Sequence, residues 1–154
     1  FEHDYDDFLK QVKATMAISD WMDEKNEDEL MEAYNIAPGE LHLKKELCDW
    51  ILYSAEEISG LLDFKEIIKE IKKTRFRLDK GIKEELIPLA RLKDIGRVRA
   101  RILFRNGIKD IGDIKNADLA KLSYLIGKQT ALKLKKQVGA KIEEKTQLDL
   151  SEHT

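Results

Sequence analysis

A six-residue phrase that occurs twice constrains the fold of this 154-residue chain more than any other feature. The first copy reads Ile-Gly-Arg-Val-Arg-Ala from Ile95 to Ala100, and the second reads Ile-Gly-Lys-Gln-Thr-Ala from Ile126 to Ala131. A helical pattern of apolar residues follows each copy. Glycine permits a tight turn, and an alanine four residues later is small enough for the preceding helix to pack closely. The repeat therefore predicts two successive helix-hairpin-helix units.

The same repeat predicts a site for phosphate groups. The first turn of a helix has unpaired backbone N–H groups and the positive end of the helix dipole, and both favour an anion. Gly96 and Gly127 directly precede two such helices, which begin with Arg97 and Lys128. The alternative is that each glycine only ends a helix. That role would account for a single copy of the phrase, but it accounts less well for two copies with matched positions. One departure is Asp94, which stands where many hairpins of this type have another glycine.

Four arginines of the first hairpin have a spacing that favours an anion. Arg97, Arg101 and Arg105 recur at every fourth position and align on one helix face, whereas Arg99 points to another side. Like charges at this spacing repel by roughly 0.2–0.5 kcal/mol per pair. A phosphate along the face would offset that repulsion. We therefore predict a nucleic-acid contact there, with Arg99 reaching the phosphate at the hairpin or an acidic partner. The alternative is a solvated basic face.

The net charge of −2 hides a division along the chain. Residues 1–79 hold 11 Lys and Arg against 20 Asp and Glu, residues 80–141 hold 16 against 6, and residues 142–154 hold 1 against 4. A basic segment that contains both hairpins is typical of a nucleic-acid contact surface, and the acidic segment argues against binding there by bulk charge. We predict a helical bundle over residues 1–77, a hairpin domain over 78–140 and a mobile tail over 141–154.

Apolar residues recur at helical spacing over most of the chain, without the sustained alternation of strands, so the predicted fold class is all-α. The predicted helices span residues 6–22, 27–34, 38–58, 64–74, 82–92, 97–106, 111–115, 118–125 and 128–138. Pro38 suits the first turn of the third helix and Gly60 its C-cap, while Pro88 either kinks the fifth helix or lies near its start.

Composition excludes several classes of protein. Cys48 is the only cysteine, so neither a disulfide framework nor a cysteine-rich metal site is available, and we expect a reducing, intracellular compartment. No apolar run approaches the roughly 20 residues of a membrane span. The three histidines are scattered, and the acidic runs at 4–7 and 27–29 are typical of helix starts. We predict no catalytic residue and no metal, with a carboxylate-based nuclease as a remote alternative.

Several stretches resemble a known family. Residues 81–86, followed by 91–101, resemble the last domain of archaeal superfamily 2 DNA helicases of the Hjm/HELQ type. Asp-Trp-Met at 20–22 and the run 36–41, which leads to Asp-Trp-Ile-Leu at 49–52, resemble the helical domain before it. The resemblance covers nearly the whole chain except its last residues.

The resemblance implies the DNA-handling end of an ATP-dependent 3'-to-5' helicase in replication-fork repair and recombination. A helical bundle would ratchet single-stranded DNA, and the hairpin domain would grip it. The implied partners are single-stranded or forked DNA and motor domains in the same polypeptide. ATP and Mg²⁺ would belong to that motor, since this sequence has no phosphate loop and no Asp-Glu-x-His box. We expect a cytoplasmic, nucleoid-associated monomer without a membrane partner and, because it begins at Phe1, a piece of a longer protein.

In the family, an aromatic residue on the long helix of the bundle stacks on a base, and Trp50 is at the matching position. Such stacking contributes about 1–3 kcal/mol per base and tolerates any sequence. The alternative for Trp50 is a core position among its neighbouring leucines. The family also has a basic residue about two turns earlier, where Leu43 stands here between His42 and Lys44, so Lys44 is the candidate for a second contact. We expect Trp21 in the core.

A different class of function is also consistent with the sequence. The basic face would then dock on an acidic surface of the motor or of a partner, in a protein-interaction or autoinhibitory module. Phosphate binding predicts an affinity for DNA that falls steeply with salt, whereas docking predicts weak DNA binding and one saturable protein complex.

Overall fold

The computed structural model describes residues 2–139, without the side chains of residues 2 and 3. All regular elements within this range are helical, which confirms the predicted all-α class. The chain divides by its packing into two compact units between Ile87 and Pro88. We call residues 2–87 the first unit and residues 88–139 the second unit. The predicted tail at 141–154 lies outside the described residues.

The first unit contains four helices, namely α1 (Glu2–Met22), α2 (Glu27–Tyr34), α3 (Pro38–Leu61) and α4 (Lys65–Lys80). A capping box begins α2, because the Asn26 side chain accepts from the Glu29 N–H and the Glu29 carboxylate accepts from the Asn26 N–H. Pro38 lies in the first turn of α3, as predicted. The first helix begins at Glu2, earlier than the predicted start at residue 6.

The core of the first unit lies where α3 packs along α4 and α1 contacts both of them. Its buried residues are Ala17, Ile18, Trp21, Leu30, Ile36, Leu41 and Leu78. The Trp21 indole Nε1 donates to the carbonyl of Leu78 at 2.7 Å, and the Lys45 ammonium lies 3.8 Å from the centre of the Trp21 ring. The predicted core position of Trp21 is therefore confirmed.

Two predicted helix ends in this unit are wrong. Gly60 is not the C-cap of α3, since the helix continues to Leu61 and the turn is made by Asp63, whose φ is +57°. The fourth helix continues to Lys80 instead of ending near residue 74, because buried Leu78 contributes to the core and Gly81, with a φ of +61°, makes the C-cap.

The predicted helix over residues 82–92 is also wrong. A 3₁₀ turn at Glu84–Leu86 and the four-residue helix α5 (Ile87–Ala90) occupy this segment. Pro88 lies near the start of α5, where its missing N–H costs no hydrogen bond. A helix running through Pro88 from residue 82 would lose that bond, so the chain uses shorter turns.

The second unit contains α6 (Arg97–Arg105), α7 (Ile111–Asn116), α8 (Leu119–Ile126) and α9 (Lys128–Gln137). These helices agree with the predicted ones to within two residues. Its buried residues include Ile95, Ala100, Leu103, Ile108, Ile114, Leu122, Ile126, Ala131, Leu134 and Val138. α8 packs against both α6 and α9. Buried Lys135 donates to the carbonyl of Lys115 at 2.9 Å, so its ammonium stabilises the last turn of α7.

The change from acidic to basic composition, near residue 80, comes earlier in the chain than the division between the two packing units at residues 87 and 88. Ile82 and Leu86 are buried, and the Lys83 N–H donates to the Glu24 carboxylate of the first unit at 3.1 Å. The packing division follows such contacts, whereas the limits at residues 77 and 140 follow charge and apolar content. Those limits therefore stay a proposal.

Candidate nucleic-acid interface

The helices α6 and α9 begin directly after the two repeated glycines. The first backbone hydrogen bond of α6 runs from the Ala100 N–H to the Gly96 carbonyl at 2.9 Å, and that of α9 from the Ala131 N–H to the Gly127 carbonyl at 2.9 Å. Neither helix has a side-chain N-cap among the described residues. The N–H groups of each first turn therefore come before the first donor of the helical hydrogen-bond series and have no acceptor within the helix. Amides in this arrangement bind anions.

Both alanines of the repeat are fully buried, with an exposed fraction of 0% at Ala100 and Ala131. α8, the helix that precedes Gly127, packs against α9. The burial of both alanines agrees with a packing role, and the close approach of each preceding helix stays a prediction.

The two turns differ in backbone geometry despite their similar sequences. In the first, Asp94 has a φ of +66° and Gly96 an ordinary φ of −86°. In the second, Gly127 itself has a φ of +86°. Aspartate enters the left-handed region more readily than most residues, so Asp94 makes the turn that another glycine makes in related hairpins.

Side chains of the second unit hold the Asp94 turn. The Arg99 guanidinium donates to the Asp94 carbonyl at 2.8 Å, and the Lys133 ammonium lies 3.2 Å from the Asp94 carboxylate. In this structure the Arg99 guanidinium therefore stabilises the turn of the hairpin. The sequence predicted that Arg99 reaches the phosphate at the hairpin or an acidic partner, which stays a prediction, and it gave no signal for Lys133.

The other predicted basic residues lie along α6 and at the start of α9. Arg97 and Arg101 are half-buried, Arg105 and Lys128 are exposed, and the Arg101 guanidinium lies 5.3 Å from the centre of the Phe104 ring. The predicted face thus combines two packed arginines with one at the surface. Packed guanidinium stems lose less side-chain entropy when a phosphate binds than mobile ones do.

Trp50 lies at the surface of the first unit, with 66% of the residue exposed. It stands on α3 and, together with the exposed Tyr53, lines a groove of about 890 Å³ between α3 and α4. The alternative that places Trp50 in the core of the described unit is therefore wrong. An exposed indole beside a groove is available for stacking on a base.

An apolar stripe surrounds Trp50 on α3. Its exposed members are Leu43, Leu47, Trp50, Ile51, Ile58 and Leu61. At 100° per residue they lie opposite the packed face of α3, which contains Leu41 and Leu52. The predicted second contact, Lys44, lies at the edge of this stripe with its ammonium 3.2 Å from the Glu40 carboxylate.

Arg75 on α4 makes three hydrogen bonds to carboxylates of α3 in the groove, and no sequence pattern predicted them. Its guanidinium binds both carboxylate oxygens of Asp49, at 2.8 and 3.1 Å, and one of Glu56, at 2.8 Å. These hydrogen bonds lower the pKa of both carboxyl groups and raise the pKa of Arg75. The contact links α4 to α3 on both sides of Trp50, at Asp49 and at Glu56.

Another exposed aromatic residue lies beside the second hairpin. Tyr124, in the last turn of α8, is 90% exposed three residues before Gly127. A helical pattern does not distinguish an exposed tyrosine from a half-buried one, so the sequence did not single it out. It adds a surface for stacking next to the predicted phosphate contact.

Within residues 2–139 no three or more His, Cys, Asp and Glu side chains come together as metal ligands would. In the same range no helix combines the length and the apolar character needed to cross a membrane.

Two family models match separate parts of the chain. Residues 1–81 match the family described as archaeal helicase, domain 4, and this match covers more than half of the chain. Residues 86–143 match the family described as SAM-like helix-hairpin-helix tandem.

Similar proteins named ATP-dependent DNA helicase Hel308 occur in several archaea. The protein of Pyrococcus horikoshii is 37% identical over 148 residues, which are 94% of this chain and 19% of that protein. That of Methanocaldococcus jannaschii is 39% identical over 133 residues, 86% of this chain and 11% of that protein. That of Caldivirga maquilingensis is 32% identical over 129 residues, 82% of this chain and 17% of that protein. The chain thus spans a fifth or less of these relatives.

Proposed function

This chain belongs to the archaeal helicase domain 4 family, and on that premise we propose that it holds DNA for an ATP-dependent helicase motor in the same polypeptide. The observation that carries the proposal is the pair of glycine-led helix N-termini in one small basic unit. The matching tandem hairpin family supports it. The resemblance in sequence adds a 3'-to-5' polarity, a role at replication forks and a cytoplasmic, nucleoid-associated place of action to the proposal.

The two units contribute different chemistry to this function. In the second unit, phosphates bind the first-turn N–H groups of α6 and α9 and the basic residues beside them. In the first unit, the indole of Trp50 stacks on a base, which contributes about 1–3 kcal/mol without choosing a sequence. Neither contact reads a base edge, so the chain binds strands of any sequence, as a translocating motor requires.

Binding of a labelled single strand, measured by fluorescence anisotropy over a range of salt concentrations, tests the proposal. We compare the chain with Arg97→Ala/Arg101→Ala and with the control Lys115→Ala/Lys136→Ala, which removes the same charge from exposed positions of the same unit. Each lost phosphate contact reduces the slope of log affinity against log salt by about 0.7 for a single strand. The arginine pair therefore lowers both affinity and slope more than the lysine pair does.

Three results decide the matter. A larger loss for the arginine pair, at an unchanged unfolding temperature, supports the hairpin contact. A loss of roughly fivefold to 150-fold in Trp50→Ala, which corresponds to about 1–3 kcal/mol, supports base stacking. Negligible or salt-insensitive binding of the unchanged chain contradicts the proposal.

The exposed apolar stripe of α3 supports a second candidate function. A stripe of leucine and isoleucine side chains opposite a packed face is typical of a helix that contacts another protein surface. The chain would then be a docking or autoinhibitory module, as the sequence also allows. This alternative predicts one saturable complex with the motor domains and little binding of DNA in the same titration.

A further inference from the structure

Two surfaces of opposite character flank the exposed face of α3 in the first unit. On one side is the α3/α4 groove, which is lined by the carboxylates of Glu46, Asp49, Glu56 and Asp79. On the other side is a smaller cavity between α1 and α3, lined by the ammonium-bearing side chains of Lys10, Lys13 and Lys44. Trp50 itself lines the groove, and at 100° per residue it lies about 100° around α3 from the groove residue Asp49 and about 120° from Lys44 in the other direction.

The cations of the groove are already balanced within it. Arg75 binds Asp49 and Glu56, and the Lys72 ammonium lies 3.5 Å from the Glu56 carboxylate. Lys45 lies over the Trp21 ring. A polyanion that entered the groove would meet carboxylates without gaining a cation, so the groove disfavours phosphate.

The cavity between α1 and α3 has the opposite balance. It measures about 170 Å³, and Glu40 is the one carboxylate in its lining. A water molecule takes about 30 Å³, so the cavity has room for a partly hydrated phosphate group. This excess of positive charge stands in a segment where acidic residues outnumber basic ones by 20 to 11.

The three lysines are placed so that an anion would stabilise them. Lys10 and Lys13 lie one helical turn apart, a spacing at which like charges repel by a few tenths, roughly 0.2–0.5 kcal/mol. The pairs of Lys10 with Asp7, at 2.9 Å, and of Lys44 with Glu40, at 3.2 Å, are on the surface. Such pairs contribute about 0–1 kcal/mol, so a phosphate group can compete with them.

We propose that Lys10, Lys13 and Lys44 form a subsite for a backbone phosphate, and that a strand stacked on Trp50 runs along the α1 side of α3, away from the groove. The inference rests on the proposed function and specifies the path of the strand. Lys44 precedes Trp50 by six residues, about 9 Å along the helix axis.

The test compares two matched double variants of the 154-residue chain. Lys10→Ala/Lys13→Ala removes two charges one turn apart on α1, and Lys69→Ala/Lys72→Ala removes two charges one turn apart on α4, on the groove side. A labelled oligothymidylate is titrated at several salt concentrations. The first pair lowers the slope of log affinity against log salt by about 0.7 to 1.4, for one to two lost contacts, and the second pair leaves it unchanged.

The alternative outcomes separate this inference from the proposed function. A reduced slope in the Lys69/Lys72 pair alone would place the strand on the groove side and overturn the path. Unchanged slopes in both pairs, with a clear loss in Arg97→Ala/Arg101→Ala, would overturn the subsite and leave the hairpin contact standing. Absence of salt-dependent binding in the unchanged chain would overturn both.

A strand and free phosphate offer this subsite the same chemistry, and NMR distinguishes them. The amide resonances of Lys13 and Ala14 are followed during titration with oligothymidylate and, separately, with inorganic phosphate at the same total phosphate concentration. The proposal predicts saturable shifts with the strand and none with inorganic phosphate. Equal saturation by inorganic phosphate would assign the cavity to a free anion and contradict the strand path.

Discussion

At the residue scale, Gly96 has an ordinary backbone conformation, and a methyl group added to it would meet no atom within 4 Å. Neither strain nor packing among the described residues requires glycine there. Gly127 is different, because its φ of +86° favours glycine on its own. The open space at Gly96 is what the close approach of an external phosphate needs.

Replacing Gly96 by aspartate should separate folding from binding. An aspartate at this N-cap accepts from the first-turn N–H groups of α6 and stabilises the helix by a few tenths of a kcal/mol, roughly 0.3, relative to glycine. The same carboxylate takes the place of a phosphate and repels it. We therefore expect an unchanged or higher unfolding temperature together with an affinity for single-stranded DNA that is lower by about tenfold or more, as a loss of 1.4 kcal/mol implies.

The variant Gly96→Asn is the matched control, because it caps the helix without a charge. We expect it to bind DNA more weakly than the unchanged chain and more tightly than the aspartate variant. Unchanged affinity in Gly96→Asp would show that no phosphate approaches this turn.

The Arg75 contact predicts a pH dependence of stability. The pKa values of Asp49 and Glu56 are lower in the folded chain than in the unfolded one, because the Arg75 guanidinium stabilises both carboxylates. Their contribution to stability is therefore present above the unfolded pKa values of about 4 and is lost as the pH falls through the folded values.

Urea unfolding of the chain and of Arg75→Gln at pH 7 and pH 3 tests this dependence. The variant should be less stable at pH 7, and the difference between the two proteins should shrink at pH 3. A difference that stays constant with pH would mean that Arg75 acts through packing alone.

At the element scale, α1 and α3 each have two apolar faces. On α1, the packed face contains Ala17 and Trp21, and the opposite, exposed face contains Tyr5, Phe8, Leu9, Val12 and Met16. On α3, the exposed stripe contains Trp50. Helices with two apolar faces occur between two layers of structure, so these faces are available to a DNA base or to another part of a longer protein.

The exposed face of α1 predicts a substitution that changes association without changing the fold. Phe8→Gln/Val12→Gln should change the free energy of unfolding by no more than about 0.5 kcal/mol, since both side chains are exposed. It should also reduce self-association at high protein concentration, measured by sedimentation velocity. The packed-core control, Leu30→Ala, should cost about 2–5 kcal/mol. A comparable loss in the Phe8/Val12 variant would show that this face is packed in solution.

Helical periodicity predicted most elements but not all of their ends. Pro38 marked a true helix start because the fit of proline to the first turn is a local property. Gly60 gave a wrong end for α3, since glycine is tolerated inside a helix whose packing continues. The end of α4 was predicted too early because it depends on the contacts that Leu78 makes with residues distant in sequence. Tertiary packing decided these cases, and a sequence pattern does not contain it.

The candidate site shows the same limit. The repeat located the hairpins because their geometry is set by neighbouring residues, and the exposed Trp50 followed from a resemblance rather than from its pattern. Arg75 contacts Asp49, 26 positions away in sequence, and Lys133 contacts Asp94, 39 positions away. No local sequence pattern predicts contacts between residues so far apart. Contacts of this kind become visible only in three dimensions.

At the scale of the whole molecule, an acidic segment and a basic segment share one chain. In the proposed function, bulk attraction to DNA comes from the basic segment, which contains the hairpins, and the acidic segment contributes base stacking at Trp50. We therefore expect salt to weaken the hairpin contact strongly and the stacking itself little.

In the proposed function, phosphates of a single strand bind at the first turns of α6 and α9. Titration of the ¹⁵N-labelled chain with a short oligothymidylate tests it most directly, because amide shifts report which N–H groups contact the ligand. We expect the largest saturable shifts at the amides of Arg97, Val98, Lys128 and Gln129, with a further shift of the Trp50 indole N–H. Shifts that are absent from both first turns, or confined to other surfaces, would contradict it.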